Sequence, residues 1–314
     1  MNFLPQENKG SFYALLSGFL YGLLGYFGMS LVGANFSIFN MLFWRFLISS
    51  ALIMIILFFT YKKNTDRRQE ALKMMLYGGV FYSASANIYF LACSYIGTGL
   101  AMVIFFTYPA AVMLLNWVLH KTKPSRSYYI AIAVIMAGLV LLADLNGARL
   151  NVTGIGFAIL SAIAYASYIV FSKKVQTSPL MSTLMVSIGC TITSLILTLI
   201  DKSFLIPASS TQWLNIFGFG ILCTALPILL LLEALKTISS IKASLLSVLE
   251  PVFVVIFGII LLGEHVNGRQ TIGILTVLTG ALTTLLSTAK IEPKNKFLQG
   301  STKEDEGPCE CGPQ

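Results

Sequence analysis

The sequence predicts an all-α polytopic membrane protein, with ten transmembrane helices arranged as two inverted five-helix repeats. Three observations predict it: a composition unsuited to a water-facing surface, ten separate apolar runs, and a likeness between the two halves of the chain. The 314 residues are 56% hydrophobic and 11% charged, with a mean hydropathy of +0.80. Soluble domains carry about 25% charged residues. So few charges cannot cover a soluble surface, and lipid must be the solvent for much of it.

Residues 1–10 read as a polar segment left in the cytoplasm. The apolar run near 11–31 is about 20 residues, enough to cross a ~30 Å hydrocarbon core at about 1.5 Å per residue. A secretory leader has a shorter apolar core and a small-residue cleavage site, so no cleavage is expected. Further runs lie near 36–60, 71–93, 98–119 and 127–143, then 153–172, 180–200, 213–235, 241–262 and 270–288. Connections such as Ser94 to Thr98 are so short that neighbouring spans must be antiparallel hairpins. Residues 289–314 turn polar and are expected to form a disordered cytoplasmic tail. Its Cys309 and Cys311 lack the further ligands a metal site needs, whereas Cys93, Cys190 and Cys223 sit singly in apolar runs.

Charge sets sidedness, because Lys and Arg near membrane ends stay on the cytoplasmic face. With the N-terminus inside, the inner segments hold 17 of the 21 basic residues, from Lys9 through Lys62, Lys121, Lys173 and Lys236 to Lys303. Arg149, Lys202 and Arg269 fall outside, and Arg45 lies within a span. Both termini are therefore expected in the cytoplasm. The net charge of +8 is spread over separate loops and needs no nucleic-acid partner, only anionic lipid headgroups.

The two halves match at a nearly constant offset. Shifting residues 13–28 by 144 sets Ala14 on Ala158, Leu16 on Leu160, Ser17 on Ser161, Tyr21 on Tyr165 and Phe27 on Phe171. A shift of 142 sets Ala101 on Ala243, Pro109 on Pro251, Ile130 on Ile272 and Gly138 on Gly280. Five spans per copy is an odd number, so the copies must lie in opposite orientations. Inverted repeats of this kind place a solute site near the midplane, where the halves meet. A channel usually gains its pore from oligomeric symmetry, whereas two halves that rock against each other suit a transporter.

On these residues the chain resembles the drug/metabolite transporter superfamily, EamA-like type, over roughly residues 12–288. The resemblance is carried by Ala14-Leu15-Leu16-Ser17, by Phe43-Trp44-Arg45-Phe46, and by Leu249-Glu250-Pro251-Val252-Phe253. Leu262-Gly263-Glu264, Gly273 and Gly280 add to it. It implies export of a metabolite or amino acid as the commonest activity, across a bacterial inner membrane. The first half departs from the pattern, with Tyr108 opposite Glu250 and no counterpart of Gly263-Glu264.

Arg45 lies about nine residues into its span, roughly 14 Å deep, where an arginine costs about 2.5–3.5 kcal/mol on insertion scales. Either it faces a wet cavity and binds a carboxylate or phosphate, or it is a structural residue held by helix-end carbonyls or an internal acid. Glu250 sits at similar depth, where carboxylates protonate or pair. It could receive a substrate amine, take a proton, pair with Arg45, or serve packing beside Pro251. Pro109 and Pro251 interrupt their spans at equivalent positions and are read as hinges or kinks. Tyr21, Tyr82, Asn87, Tyr89, Tyr108, Tyr165 and Tyr168 are polar handles that either line a cavity or pack the core. Gly18, Gly22 and Gly25 form a smooth face for close helix approach. Glu233, Asn116, Glu264 and His265 read as boundary residues near water.

The expectation is a secondary transporter that exports a small polar or zwitterionic metabolite, such as an amino acid, by alternating access. One rival is a proton-coupled exporter of lipophilic cations with Arg45 structural, and another is a lipid-handling or non-transporting membrane partner protein. Expected partners are a small-molecule substrate, membrane lipids and, in the coupled versions, protons, with the chain a monomer or homodimer. No cofactor is expected. The two histidines, His120 and His265, join no nucleophile or metal cluster, and no enzymatic activity is expected.

Overall fold

A computed structural model describes residues 6–60, 68–121, 124–143, 151–263 and 267–286. The expected tail, Cys309, Cys311, Glu264 and His265 lie outside the described residues. Within them every regular element is helical, and ten passes follow one another. The first pass comprises α1 (Gln6–Tyr21) and α2 (Leu24–Val32), and the second is α3 (Ile38–Thr60). In the third, α4 (Arg68–Tyr77) and α5 (Ser83–Ile96) flank a π-helical turn, Gly78–Tyr82. The fourth is α6 (Thr98–Phe105) with α7 (Tyr108–His120), and the fifth is α8 (Arg126–Leu142). The second half supplies α9 (Val152–Lys174) and α10 (Pro179–Ile200) as single helices. In the eighth pass α11 (Ser210–Gly220) and α12 (Leu226–Thr237) flank a second π turn, Ile221–Ala225. The ninth is α13 (Ser240–Ser247) with α14 (Glu250–Leu262), and the tenth is α15 (Gly268–Leu286).

Eight of the passes are long and apolar enough to cross a membrane on those grounds alone, and α8 is a shorter apolar helix. The third pass carries Glu70, Lys73, Ser83, Ser85 and Asn87, and it is held by neighbours more than by hydropathy. Ser85 donates to the Ser161 carbonyl at 3.0 Å, and Ser161 returns a bond to the Ser85 carbonyl at 2.8 Å. Phe58, Phe59, Ile200, Leu214 and Leu286 are exposed around the outside of the bundle, as residues in contact with lipid should be. The chain is a multi-pass membrane protein.

The repeat recurs in the backbone. The π turns at Gly78–Tyr82 and Ile221–Ala225 are 143 residues apart. In the fourth and ninth passes, α6 and α13 begin and end 142 residues apart, as do α7 and α14. Both breaks are short, Phe106-Thr107 and Val248-Leu249. Both second halves end on a left-handed residue, Lys121 (φ 52°) and Gly263 (φ 68°), the usual way to satisfy the last carbonyls of a helix. Packing follows the same pseudo-two-fold: α8 lies along α15, α3 along α10, and the contact of α1 with α12 is repeated by α9 with α5.

Close approach depends on missing side chains at two matched sites. A Cβ on Gly138 would lie 2.7 Å from Val277 Cγ2, and one on Gly280 would lie 2.6 Å from Ile135 Cγ1. The glycine face of the first pass meets the ninth, with Gly18 against the backbone at Ser247 and Glu250, and Gly25 against Val254.

Helix α1 is described from Gln6, and its Glu7 pairs with Lys242 at 2.7 Å.

Candidate functional site

The fourth and ninth passes break near mid-depth, and each break starts a new half-helix. Tyr108 opens α7 and Glu250 opens α14, with Pro109 and Pro251 in the first turn. Each proline follows a two-residue step at which the backbone stays near helical angles, Phe106-Thr107 and Val248-Leu249. The prolines sit where a missing N–H costs no hydrogen bond and a fixed φ suits helix initiation. The two half-helices run in opposite directions, so their positive N-terminal ends converge on the middle of the bundle.

Around this point the structure gathers an aromatic cluster from both halves. The Tyr108 and Tyr165 rings are 4.8 Å apart and edge-on, Tyr82 and Tyr168 are 5.0 Å apart, and Tyr82 and Tyr165 are 5.8 Å apart. The Tyr21 and Tyr82 hydroxyls are hydrogen-bonded at 3.1 Å. Tyr108 donates to the Ser244 carbonyl at 3.1 Å. Phe105 closes one side, 5.6 Å from Tyr165 and 5.1 Å from Tyr89.

Arg45, on α3, is only 5% exposed. One terminal nitrogen donates to the Tyr82 hydroxyl at 3.3 Å, and the guanidinium lies 4.9 Å from the Phe46 ring and 5.0 Å from that of Phe219. Its Nε has no hydrogen-bond partner among the described residues. A buried guanidinium normally uses more of its five donors. This one is held by ring faces on two sides and has donor capacity to spare.

Glu250, at the N-terminus of α14, keeps accessible surface although protein surrounds it on every side, and so do Tyr165 and Tyr89. Among the described residues no donor bonds the Glu250 carboxylate and no cation pairs with it directly. It is nevertheless close enough to Arg45, Tyr82, Tyr89, Tyr108 and Tyr165 for its charge to act on each of them. An acid from one half and a base from the other thus share a wall of tyrosines without neutralising each other by contact.

Of the residues singled out from sequence, Arg45, Glu250, Tyr21, Tyr82, Tyr89, Tyr108, Tyr165 and Tyr168 come together. Asn87 does not join them: its amide donates to the Ser83 carbonyl and hydroxyl at 2.7 and 3.2 Å, beside Thr193 of the seventh pass. Asn116, expected at a wet boundary, is buried and hydrogen-bonded to Ser240 at 3.0 Å, because the start of α13 covers it. Sequence reading missed Phe46, Phe105 and Phe219, since phenylalanine is common in every span. A separate cavity of 340 Å³ lies between the third and sixth passes, lined by Glu70, Lys73, Tyr77, Lys174, Val175 and Gln176. Its charged side chains include the Glu70–Lys73 ion pair at 2.6 Å.

Comparison with known proteins accords with this geometry. The model of the EamA-like transporter family matches residues 8–143 and again 152–286. An uncharacterized transporter of Bacillus subtilis, YwfM, is 26% identical over 217 residues, 68% of this chain and 70% of its own. The threonine/homoserine exporter RhtA of Escherichia coli K12 is 24% identical over 251 residues, 78% of this chain and 81% of its own. A solved crystal structure aligns with a TM-score of 0.77 at 16% identity, over 88% of this chain and 98% of that one, a likeness of fold. With two matches spanning nearly all of its membrane region, the chain belongs to the EamA-like transporter family.

Proposed function

We propose that this transporter is a secondary carrier that exports a small zwitterionic metabolite, an amino acid or a close relative, by alternating access between its two five-span repeats. One observation carries the reading: Arg45 and Glu250 come from different halves, border one cluster of tyrosines, and do not bond each other among the described residues. A guanidinium with unused donors suits a carboxylate. An unpaired carboxylate at a helix start suits an ammonium group. A molecule carrying both would satisfy both residues at once and join the two halves around itself, which is what coupling between binding and rocking requires. The name of the RhtA relatives, threonine and homoserine exporters, is in keeping with this substrate class.

The charge asymmetry supports a placement with both termini in the cytoplasm of a bacterial cell, in the inner membrane. A second reading has one observation in its favour. The tyrosine rings around an unpaired Glu250 would also hold a lipophilic cation, with protons as the exchanged ion and Arg45 structural.

A thermal-shift screen of purified protein against amino acids, organic cations, nucleotides and sugar phosphates separates the readings, because a ligand of the folded state raises the melting temperature by mass action. Stabilisation by amino acids, lost in both Arg45→Ala and Glu250→Gln, is the expected result. Stabilisation by organic cations alone would replace it with the second reading. In proteoliposomes both variants should fold and fail to transport, and wild-type flux from either would remove that residue from the site.

A further inference from the structure

We propose that the end of the bundle bearing Glu7 and Lys242 is a polar latch that must break in each transport cycle, one that has no counterpart among the described residues of the opposite end. This rests on the alternating-access reading but not on the identity of the substrate. Three sets of contacts form the latch. Lys242, at the start of α13, has a side chain only 4% exposed and pairs with Glu7 of α1 at 2.7 Å. Asn116, at the end of α7, donates to the Ser240 hydroxyl at 3.0 Å. Lys173 donates to the carbonyls of Leu235 and Ile238 at 3.3 and 2.7 Å, and Lys236 returns a bond to the Val175 carbonyl at 2.9 Å. Each of these lysines thereby caps the C-terminus of the other's helix. Together they tie the first pass to the ninth, the fourth to the ninth, and the sixth to the eighth, passes that carry or adjoin the tyrosine cluster. The charge bias assigns this end to the cytoplasm.

The inverted repeat supplies a control inside the same molecule. Register is fixed by packing: Gly10 abuts Thr237 and Ile238, and Gly154 abuts Tyr95 and Ile96, 142 residues earlier. In that register the partners Glu7 and Lys242 become Asn151 and Leu100 at the other end. Asn116 and Ser240 become Gly258 and Thr98, and Lys173 and Lys236 become Met29 and Ser94. Asn151 caps its own helix, bonding the N–H groups of Thr153 and Gly154. Ser94 bonds its own helix at Leu91. Leu100, Gly258 and Met29 have no polar group to offer. The bonds described at that end join other pairs: Asn40 and Trp44 donate to the Leu205 carbonyl and Ser37 to Ser203, tying the second pass to the loop after the seventh, and Arg269 donates to the Val140 carbonyl, tying the tenth pass to the fifth.

A buried ammonium without its counter-ion is unfavourable, and opening the latch relieves it by admitting water. Removing Glu7 alone should therefore favour the state open at this end. Removing Lys242 as well should not.

The test uses Ser247→Cys, buried between the latch and Glu250, in a full-length chain whose native cysteines are replaced by serine or alanine. A membrane-impermeant maleimide is applied to inside-out and right-side-out vesicles. Glu7→Gln should raise the labelling rate about tenfold from the latch side only. Glu7→Gln with Lys242→Met, and the exchanged pair Glu7→Lys with Lys242→Glu, should both return to the slow rate. Unchanged labelling in Glu7→Gln would overturn the proposal, as would fast labelling in the double variants. Should Ser247→Cys misfold, Ser244→Cys on the same half-helix replaces it. Labelling needs no substrate, so failure of the zwitterion reading would leave this result standing.

Discussion

Tyr82→Phe isolates the link between Arg45 and the tyrosine cluster. The ring is retained, so its contacts with Phe46 at 5.9 Å, Tyr165 at 5.8 Å and Tyr168 at 5.0 Å persist. Only the hydroxyl leaves, taking with it the bonds to Arg45 at 3.3 Å and Tyr21 at 3.1 Å. Both are longer than the modal distances for their types, so the charge-assisted Arg45 bond belongs at or below the foot of the 1.5–3 kcal/mol range for its kind, about 1–2 kcal/mol. If that hold sets the aim of the guanidinium, the affinity for a carboxylate-bearing substrate should fall about 5–30-fold. Tyr168→Phe is the control. Its hydroxyl is buried near that of Ser172 without closing a well-formed hydrogen bond among the described residues, and deleting it should be nearly neutral. Calorimetric titration of the most stabilising amino acid, run on both variants, reads the difference. Equal losses, or a greater loss from Tyr168→Phe, would refute the role given to the Arg45–Tyr82 contact.

Gly138→Val should lower the apparent melting temperature in detergent by an amount equivalent to about 1–3 kcal/mol of overpacking, since α8 and α15 have no room for the added atoms. Gly28→Ala is the comparison, because no neighbour lies within 4 Å of a Cβ there, and it should melt as wild type. Among Cys93, Cys190 and Cys223, a small membrane-permeant maleimide should modify Cys93 first, because it is half-buried while the other two are buried, and peptide mass spectrometry reads the order. A green fluorescent protein fused after Gln314 should be fluorescent, and an alkaline phosphatase fused there inactive. The reverse pair of results would invert the orientation read from the charges.

Composition and repeat periodicity were enough to reach the ten passes and their pairing as inverted copies, because both depend on properties averaged over many residues. Glu250 and Arg45 were legible for a related reason: a charge at mid-depth is costly, so its presence alone demands an account. The matched Tyr21 and Tyr165 were found by offset, and both line the cluster. What could not be read was direction around the helix axis. Asn87 lies in the same pass as Tyr82 and Tyr89, but its amide bonds Ser83, whose hydroxyl accepts from Thr193 of α10, and the π turn at Gly78–Tyr82 shifts the angular register on which face assignments depend. Pro109 and Pro251 each follow a two-residue step whose near-helical angles were not legible in the sequence. Glu7, six residues from the N-terminus, read as solvated because its partner lies 235 residues away in sequence.

Tyr108 and Glu250 occupy one place in the repeat, each opening a half-helix at the same step of an otherwise duplicated backbone. Were every paired position identical, exchanging the conformations of the halves would regenerate the same molecule upside down, and neither compartment would be favoured. With an acid on one side of that exchange and a phenol on the other, this pair makes the two end states chemically distinct species. The duplication supplies a hinge that works in either sense, and divergent pairs, of which Tyr108 and Glu250 are the most central, give it a built-in bias.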